Sequence, residues 1–212
     1  MPTFELLASF LTISVLITLA PGPDNLMVLA HSLARGRSAG LGIALGCALG
    51  CFTHTLWAAL GVSTVLAASP DLFMALKLAG AAYLAWFGVQ ALRNAAIANV
   101  TSVAESHHQA WLRDVKKGFI ANAVNPKVAL FFLAFLPQFA EPGQGDVTTQ
   151  MIALGLAFAL QTTVIFGTVA LTAASIGRTL AQHGRTGVWL DRVAGIIFIG
   201  LAAKLALDDT PL

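Results

Sequence analysis

The chain has 212 residues, 57% of them hydrophobic and 10% charged, with a formal net charge of +2 and a mean hydropathy of +0.79. A soluble domain carries about 25% charged residues because its surface faces water, so most of this protein's surface must face lipid instead. The small net charge and scattered Lys and Arg exclude a nucleic-acid partner. Cys47 and Cys51, four residues apart inside an apolar run, exclude a disulfide framework.

The opening MPTFELLASF carries Glu5 where a cleaved signal would carry a base, so it reads as retained. A run of roughly 20 apolar residues crosses a hydrocarbon core of about 30 Å, and six such runs follow one another. The first, Phe4 to Leu33, is interrupted by Pro21-Gly22-Pro23; the second is Ala39 to Ala67 and the third Leu72 to Leu92. A polar connector over 94–117 divides the chain. Beyond it come Gly118 to Phe139, interrupted at Asn125-Pro126-Lys127, then Val147 to Ala173 and Val188 to Leu207. No charge occurs from Ser38 to Pro70 or from Val147 to Gly177, and soluble helices rarely run that far without a polar face.

Lys and Arg in short loops set orientation. Arg35, Arg37, Arg93, Arg113, Lys116, Lys117, Arg178, Arg185 and Arg192 all fall on one side of an alternating six-span layout, whereas the connectors at 69–71 and 140–146 carry acids and no bases. That side is expected to be the cytoplasm, with both termini outside. Residues 1–93 and 118–212 then form two halves of three spans each, which makes the second half inverted. Ala79-Gly80 of span three matches Ala194-Gly195 of span six, and the first span of each half is broken by proline. The expected fold is therefore an all-α integral membrane protein of six transmembrane helices in two inverted three-helix repeats, with helices 1 and 4 broken by proline. Secondary transporters are built on this plan, and their substrate binds near the breaks.

Proline removes a donor and clashes with the preceding turn, freeing carbonyls that lipid cannot satisfy. Asp24-Asn25 follows the first break. Asp24 reads either as the cap of the second helix or as a carboxylate facing a cavity, and the sequence leaves open whether it lies inside the membrane or near the cytoplasmic interface. Lys127 comes about 15 Å past Lys117 by helical rise, deep enough to need a partner or a long reach to the interface. The two charges are expected to approach each other across the repeat interface. His54 is a second titratable group in a span, either a coupling group or a packed histidine. Cys47, Cys51 and His54 share a helical face at i, i+4 and i+7, where soft ligands could hold a metal. The neighbouring ladder of Gly42, Gly46 and Gly50 argues instead for close helix packing. His107 and His108 read as solvated connector residues. No phosphate-binding loop and no nucleophile motif occur, which speaks against ATP drive and against an enzyme.

The stretches APGPDNLMVLAHSLARGRSAGLGIALG, ASPDLFMALKLAGAAYLAWFGVQALR and NAVNPKVALFFLAFLPQF closely resemble the LysE/RhtB family of bacterial amino-acid exporters, most clearly from Thr18 to Gln138. The resemblance implies an inner-membrane protein that expels amino acids such as lysine, threonine, homoserine or leucine by proton antiport, with no cofactor. It implies that Pro21, Gly22, Pro23, Asp24, Asn125, Pro126 and Lys127 line the central site; Asn25 and His54 are added to the candidate substrate-binding or coupling residues from their own place in the spans. The expected partners are the amino-acid substrate, the proton and the lipid bilayer; a homodimer is one assembly the sequence leaves open. Because a wider group of relatives exports metals, a heavy-metal cation exporter using Cys47, Cys51 and His54 is the alternative.

Overall fold

A computed structural model describes residues 3–20, 22–62, 70–93 and 107–182, together with part of a helical stretch between 192 and 207. Pro21, and the side chains of His107 and His108, lie outside the described residues. The described residues form helices and short connections and contain no strand. In chain order the helices are α1 (Phe4–Leu19), α2 (Pro23–Arg35), α3 (Arg37–Leu56, continued by a π-helical turn Trp57–Val62), α4 (Pro70–Arg93) and α5 (His107–Ala123). Then come α6 (Pro126–Leu130, continued by a π-helical turn Phe131–Phe135 and a 3-10 turn Leu136–Phe139) and α7 (Val147–Gln182).

Arg37–Gly61 and Val147–Ala173 are each long and apolar enough to cross a membrane. Two further spans meet that standard as bent pairs: α1 with α2, bent by 56°, and Trp111–Ala123 with Pro126–Phe139, bent by 50°. These bends fall at the two proline breaks. One element differs from expectation: α5 begins at His107, within the stretch read as a polar connector. Its early turns have something to pack on, because Trp111 and Asp114 lie against Gly42 of α3.

Local signals start and stop these helices. Thr3 caps α1 by accepting from the Leu6 amide at 3.3 Å. Asp146 caps α7, accepting from the Thr149 amide and hydroxyl at 2.7 Å each; those bonds hold its carboxyl below the ordinary carboxylate range. Gly36 turns the chain sharply from α2 into α3 with φ of +88°, a left-handed value that side chains resist.

Helix α3 lies at the centre, packed on α2, α5 and α7. Its glycine ladder faces α5. A Cβ on Gly46 would collide with the Val115 carbonyl and the backbone of Gly118 and Phe119, and one on Gly118 would collide with the Ile43 carbonyl. Small residues on both sides thus let two backbones touch, which is how helices associate where lipid supplies no hydrophobic drive. At one end of this contact Arg35 donates to Asp114 at 2.5 Å, tying the end of α2 to α5. At the far end, Phe131, Phe132 and Phe135 of the π-helical turn bury fully and pack with Phe10, Phe139 and Phe158 at centroid separations from 4.9 to 6.2 Å.

Two outcomes are expected for purified protein in detergent. Gly46→Leu should lower the apparent unfolding midpoint by several degrees, as overpacking costs typically ~1–3 kcal/mol, whereas Gly143→Ala, whose Cβ meets nothing within 4 Å, should not. Asp114 is only 1% exposed, so Arg35→Gln should cost ~3 kcal/mol by stranding a buried charge. Adding Asp114→Asn should then restore most of that loss.

Candidate functional site

The two breaks meet, and Lys127 of the second serves a carbonyl orphaned at the first. Pro126 has no N–H, so the carbonyl four residues back, that of Asn122, loses its helical donor. It accepts instead from the Asn125 amide at 2.8 Å and from His54 Nε2 of α3 at 2.8 Å. A carbonyl can only accept, so His54 carries a proton on Nε2. At the end of α1 the same problem is solved by side chains: Asn25 Nδ2 donates to the Thr18 carbonyl at 2.7 Å, and Lys127 Nζ donates to the Ala20 carbonyl at 2.9 Å.

The helices that restart after the breaks do so with proline in the first turn, where its missing N–H costs nothing. Asn125 caps α6 by accepting from the Lys127 amide at 3.0 Å. Asp24 sits in the first turn of α2 and Lys127 reaches the end of α1, so each charge faces the helix end that favours its sign. Asp24 Oδ2 accepts from Asn122 Nδ2 at 2.7 Å. Asp24 is 3% exposed and Lys127 4%.

Between these groups lies a narrow, partly open cavity with room for about one water molecule. Thr18, Asp24, Asn25, Asn122, Asn125, Lys127 and Thr162 supply its polar lining; Ile17, Gly22, Val128, Phe158 and Phe166 supply the rest. Gln161 donates to the Thr18 hydroxyl at 2.8 Å and to the Thr162 hydroxyl at 3.0 Å, which fixes α7 against α1 beside it. Phe158 belongs both to this lining and to the aromatic cluster, which therefore walls one side.

Of the residues expected from sequence, Gly22, Asp24, Asn25, Asn125 and Lys127 line one cavity. Pro23 and Pro126 are exposed and act through the backbone. His54 stands behind Asn122 and against Phe132, at a ring separation of 5.8 Å. Asp24 accepts from Asn122 and Lys127 donates to Ala20, and the two charges face the same cavity. Among the described residues no group of three His, Cys, Asp or Glu side chains is placed to hold an ion. Cys47 packs with Val28, Ile43, Phe166 and Ala170, Cys51 turns its thiol to the Cys47 carbonyl at 3.3 Å, and His54 is committed elsewhere.

Sequence reasoning missed Asn122, Thr18 and Thr162. Asn122 could have been found by counting four residues back from Pro126; the two threonines carry no signal beyond being polar in apolar runs.

Comparison with known proteins gives a match to the family model described as LysE type translocator over residues 15–209. An uncharacterized membrane protein of Pseudomonas aeruginosa is 33% identical over 91% of this chain and 90% of its own length. The homoserine/homoserine lactone efflux protein of Salmonella typhimurium is 30% identical, covering 96% and 97%. The leucine efflux protein of an Enterobacter species is 26% identical, covering 90% of each. No solved structure matches the chain.

Lys127→Met should lower stability by ~1–3 kcal/mol, the cost of leaving the buried Ala20 carbonyl unpaired, read as the apparent unfolding midpoint in detergent. The charge swap Asp24→Lys with Lys127→Asp should be less stable than either single change, since it sets both charges against their helix ends. A swap as stable as the wild type would mean that direct attraction between the two outweighs those ends.

Proposed function

The chain belongs to the LysE type translocator family, and from that premise we propose that it is a secondary transporter exporting amino acids, neutral or basic or derivatives such as homoserine, through the cavity between its two broken helices. The reading extends to six spans in two inverted halves, 1–93 and 118–212, in the inner membrane with both termini outside the cytoplasm. Proton influx is the proposed drive.

The observation that carries this reading is a buried carboxylate and a buried lysine facing one cavity at the junction of two proline breaks. Placing ionisable groups deep in a span costs ~2.5–3.5 kcal/mol each on insertion scales. Capping accounts for part of that cost, since Lys127 holds the end of α1. A zwitterionic substrate accounts for the rest: inserted between Asp24 and Lys127, it would leave the cavity's net charge unchanged. Named relatives that move homoserine and leucine support an amino acid as cargo.

Transport follows from the geometry in steps. The cavity as it stands is too small for an amino acid, so helices must part to admit one. The bends at Gly22 and at Asn125 are where α2 and α6 can swing without breaking helical hydrogen bonds, because those bonds are already absent there. The Arg35–Asp114 pair and the glycine contact of α3 with α5 would close one mouth, and the aromatic cluster around Phe131 the other. Opening them in alternation moves cargo without a continuous pore. Asp24 and His54, joined through Asn122, are the proposed proton-linked groups.

Overexpression should raise tolerance to inhibitory concentrations of the exported amino acid, and cells preloaded with labelled amino acids should lose it several-fold faster. Asp24→Asn and Lys127→Met should each cut that rate at least ~tenfold at equal membrane abundance, the loss of one charge-assisted hydrogen bond being worth ~1.5–3 kcal/mol. Unchanged efflux across all amino acids, with protein present in the membrane, would overturn the reading.

A further inference from the structure

We propose that Asn122 and Asp24 together form the pole of the cavity that receives the substrate's ammonium group, so that the transporter selects for a free primary amine ahead of a free carboxylate. The proposal rests on the export reading and deepens it.

The argument starts from hydrogen-bond accounting. Asp24 is 3% exposed and Asn122 is 1% exposed, and both line the cavity. They are joined by one bond, Asn122 Nδ2 to Asp24 Oδ2 at 2.7 Å. The amide presents its nitrogen to the carboxylate because only that end can donate. Each side chain is left with one oxygen, Asp24 Oδ1 and Asn122 Oδ1, buried and without a hydrogen-bond partner among the described residues. Buried polar atoms are nearly always paired, and an unpaired one costs ~1–3 kcal/mol. Two acceptors on adjacent side chains, one carrying a full negative charge, ask for a ligand that is cationic and rich in N–H donors.

A primary ammonium has three donors and one positive charge, enough for both oxygens. A substrate carboxylate would find only repulsion at this pole. At the other pole Lys127 gives one of its three ammonium donors to the Ala20 carbonyl, and Asn25 gives one of its two amide donors to the Thr18 carbonyl. Each of these donor groups thus already has a protein partner, while two acceptors at the first pole have none among the described residues, which ranks the amine above the carboxylate as the recognised group. Asn122 touches the substrate in this scheme and also holds the Asp24 carboxylate in place. Its own carbonyl is held by His54, so the position of this pole is set by three helices, α2, α3 and α5.

The test is competition in proteoliposomes of the full chain, reading the concentration that halves transport of labelled L-homoserine or L-leucine. N-acetyl-L-homoserine and N-acetyl-L-leucine, which lack the ammonium, should compete at least ~tenfold more weakly than their parents. Homoserine lactone and L-leucinamide, which keep the amine and lack the carboxylate, should compete within ~threefold. Asn122→Leu should shrink the ratio between parent and N-acetyl form toward one, a readout that does not depend on how much protein folds. If that variant does not reach the membrane, the wild-type ratios decide alone. N-acetyl forms that compete as well as their parents would overturn the ammonium pole and leave export standing. A ratio unaltered by Asn122→Leu would overturn the role of Asn122. If neither parent is carried, the same ratios are read on whichever labelled amino acid is, and no transport of any amino acid would overturn the export reading and this assignment with it.

Discussion

A backbone group that leaves its helix inside hydrocarbon must find another partner, and this molecule is arranged around that requirement. Its two proline breaks free carbonyls at the end of α1 and the end of α5. The partners come from across the molecule: Lys127 of α6 serves the Ala20 carbonyl, and His54 of α3 serves the Asn122 carbonyl. Asn122 in turn donates to Asp24 of α2. Neither break could be buried in lipid alone. Together they form a polar centre that lipid does not reach, and that centre is the cavity.

The rest of the packing serves to hold this centre closed. Gly46 and Gly118 let α3 and α5 touch, which brings His54 within reach of Asn122. The Arg35–Asp114 pair fixes the far end of α2 to α5, so that Asp24 at its near end meets the same helix. The π-helical turn after α6 buries Phe131, Phe132 and Phe135 on one side of the cavity. Wide turns of this kind are frequent at functional sites. Charge placement agrees with the backbone: the carboxylate lies at a helix start and the ammonium at a helix end, so each is stabilised by the helix end it faces.

Much of this was legible in the sequence because proline is a local signal with a fixed consequence. Pro23 and Pro126 announce the bends, Asn125 announces a cap, and a lysine far past the last surface base announces a buried charge. Partners separated by long stretches of chain were not legible. Lys127 and Asp24 were expected to approach each other and do line one cavity, but the Lys127 bond to the Ala20 carbonyl was not legible; helix periodicity gives a direction and says nothing about which neighbour stands there. The same limit explains Cys47, Cys51 and His54. They share a face by spacing, yet Cys47 meets α2 and α7 while His54 meets α5, because the neighbours change along the length of α3. The polarity of the stretch before span four hid the start of α5. Its Asp114 has a counter-ion 79 residues earlier, a pairing that no local pattern contains.

That the cavity at the junction of the breaks holds the transported molecule can be tested by protection. With Cys47 and Cys51 replaced by alanine, Thr162→Cys would put a single thiol on the cavity wall of α7. A small hydrophilic thiol reagent should label it in membranes, and a saturating concentration of the exported amino acid should slow that labelling several-fold. Labelling that proceeds at the same rate with and without that amino acid would contradict the account.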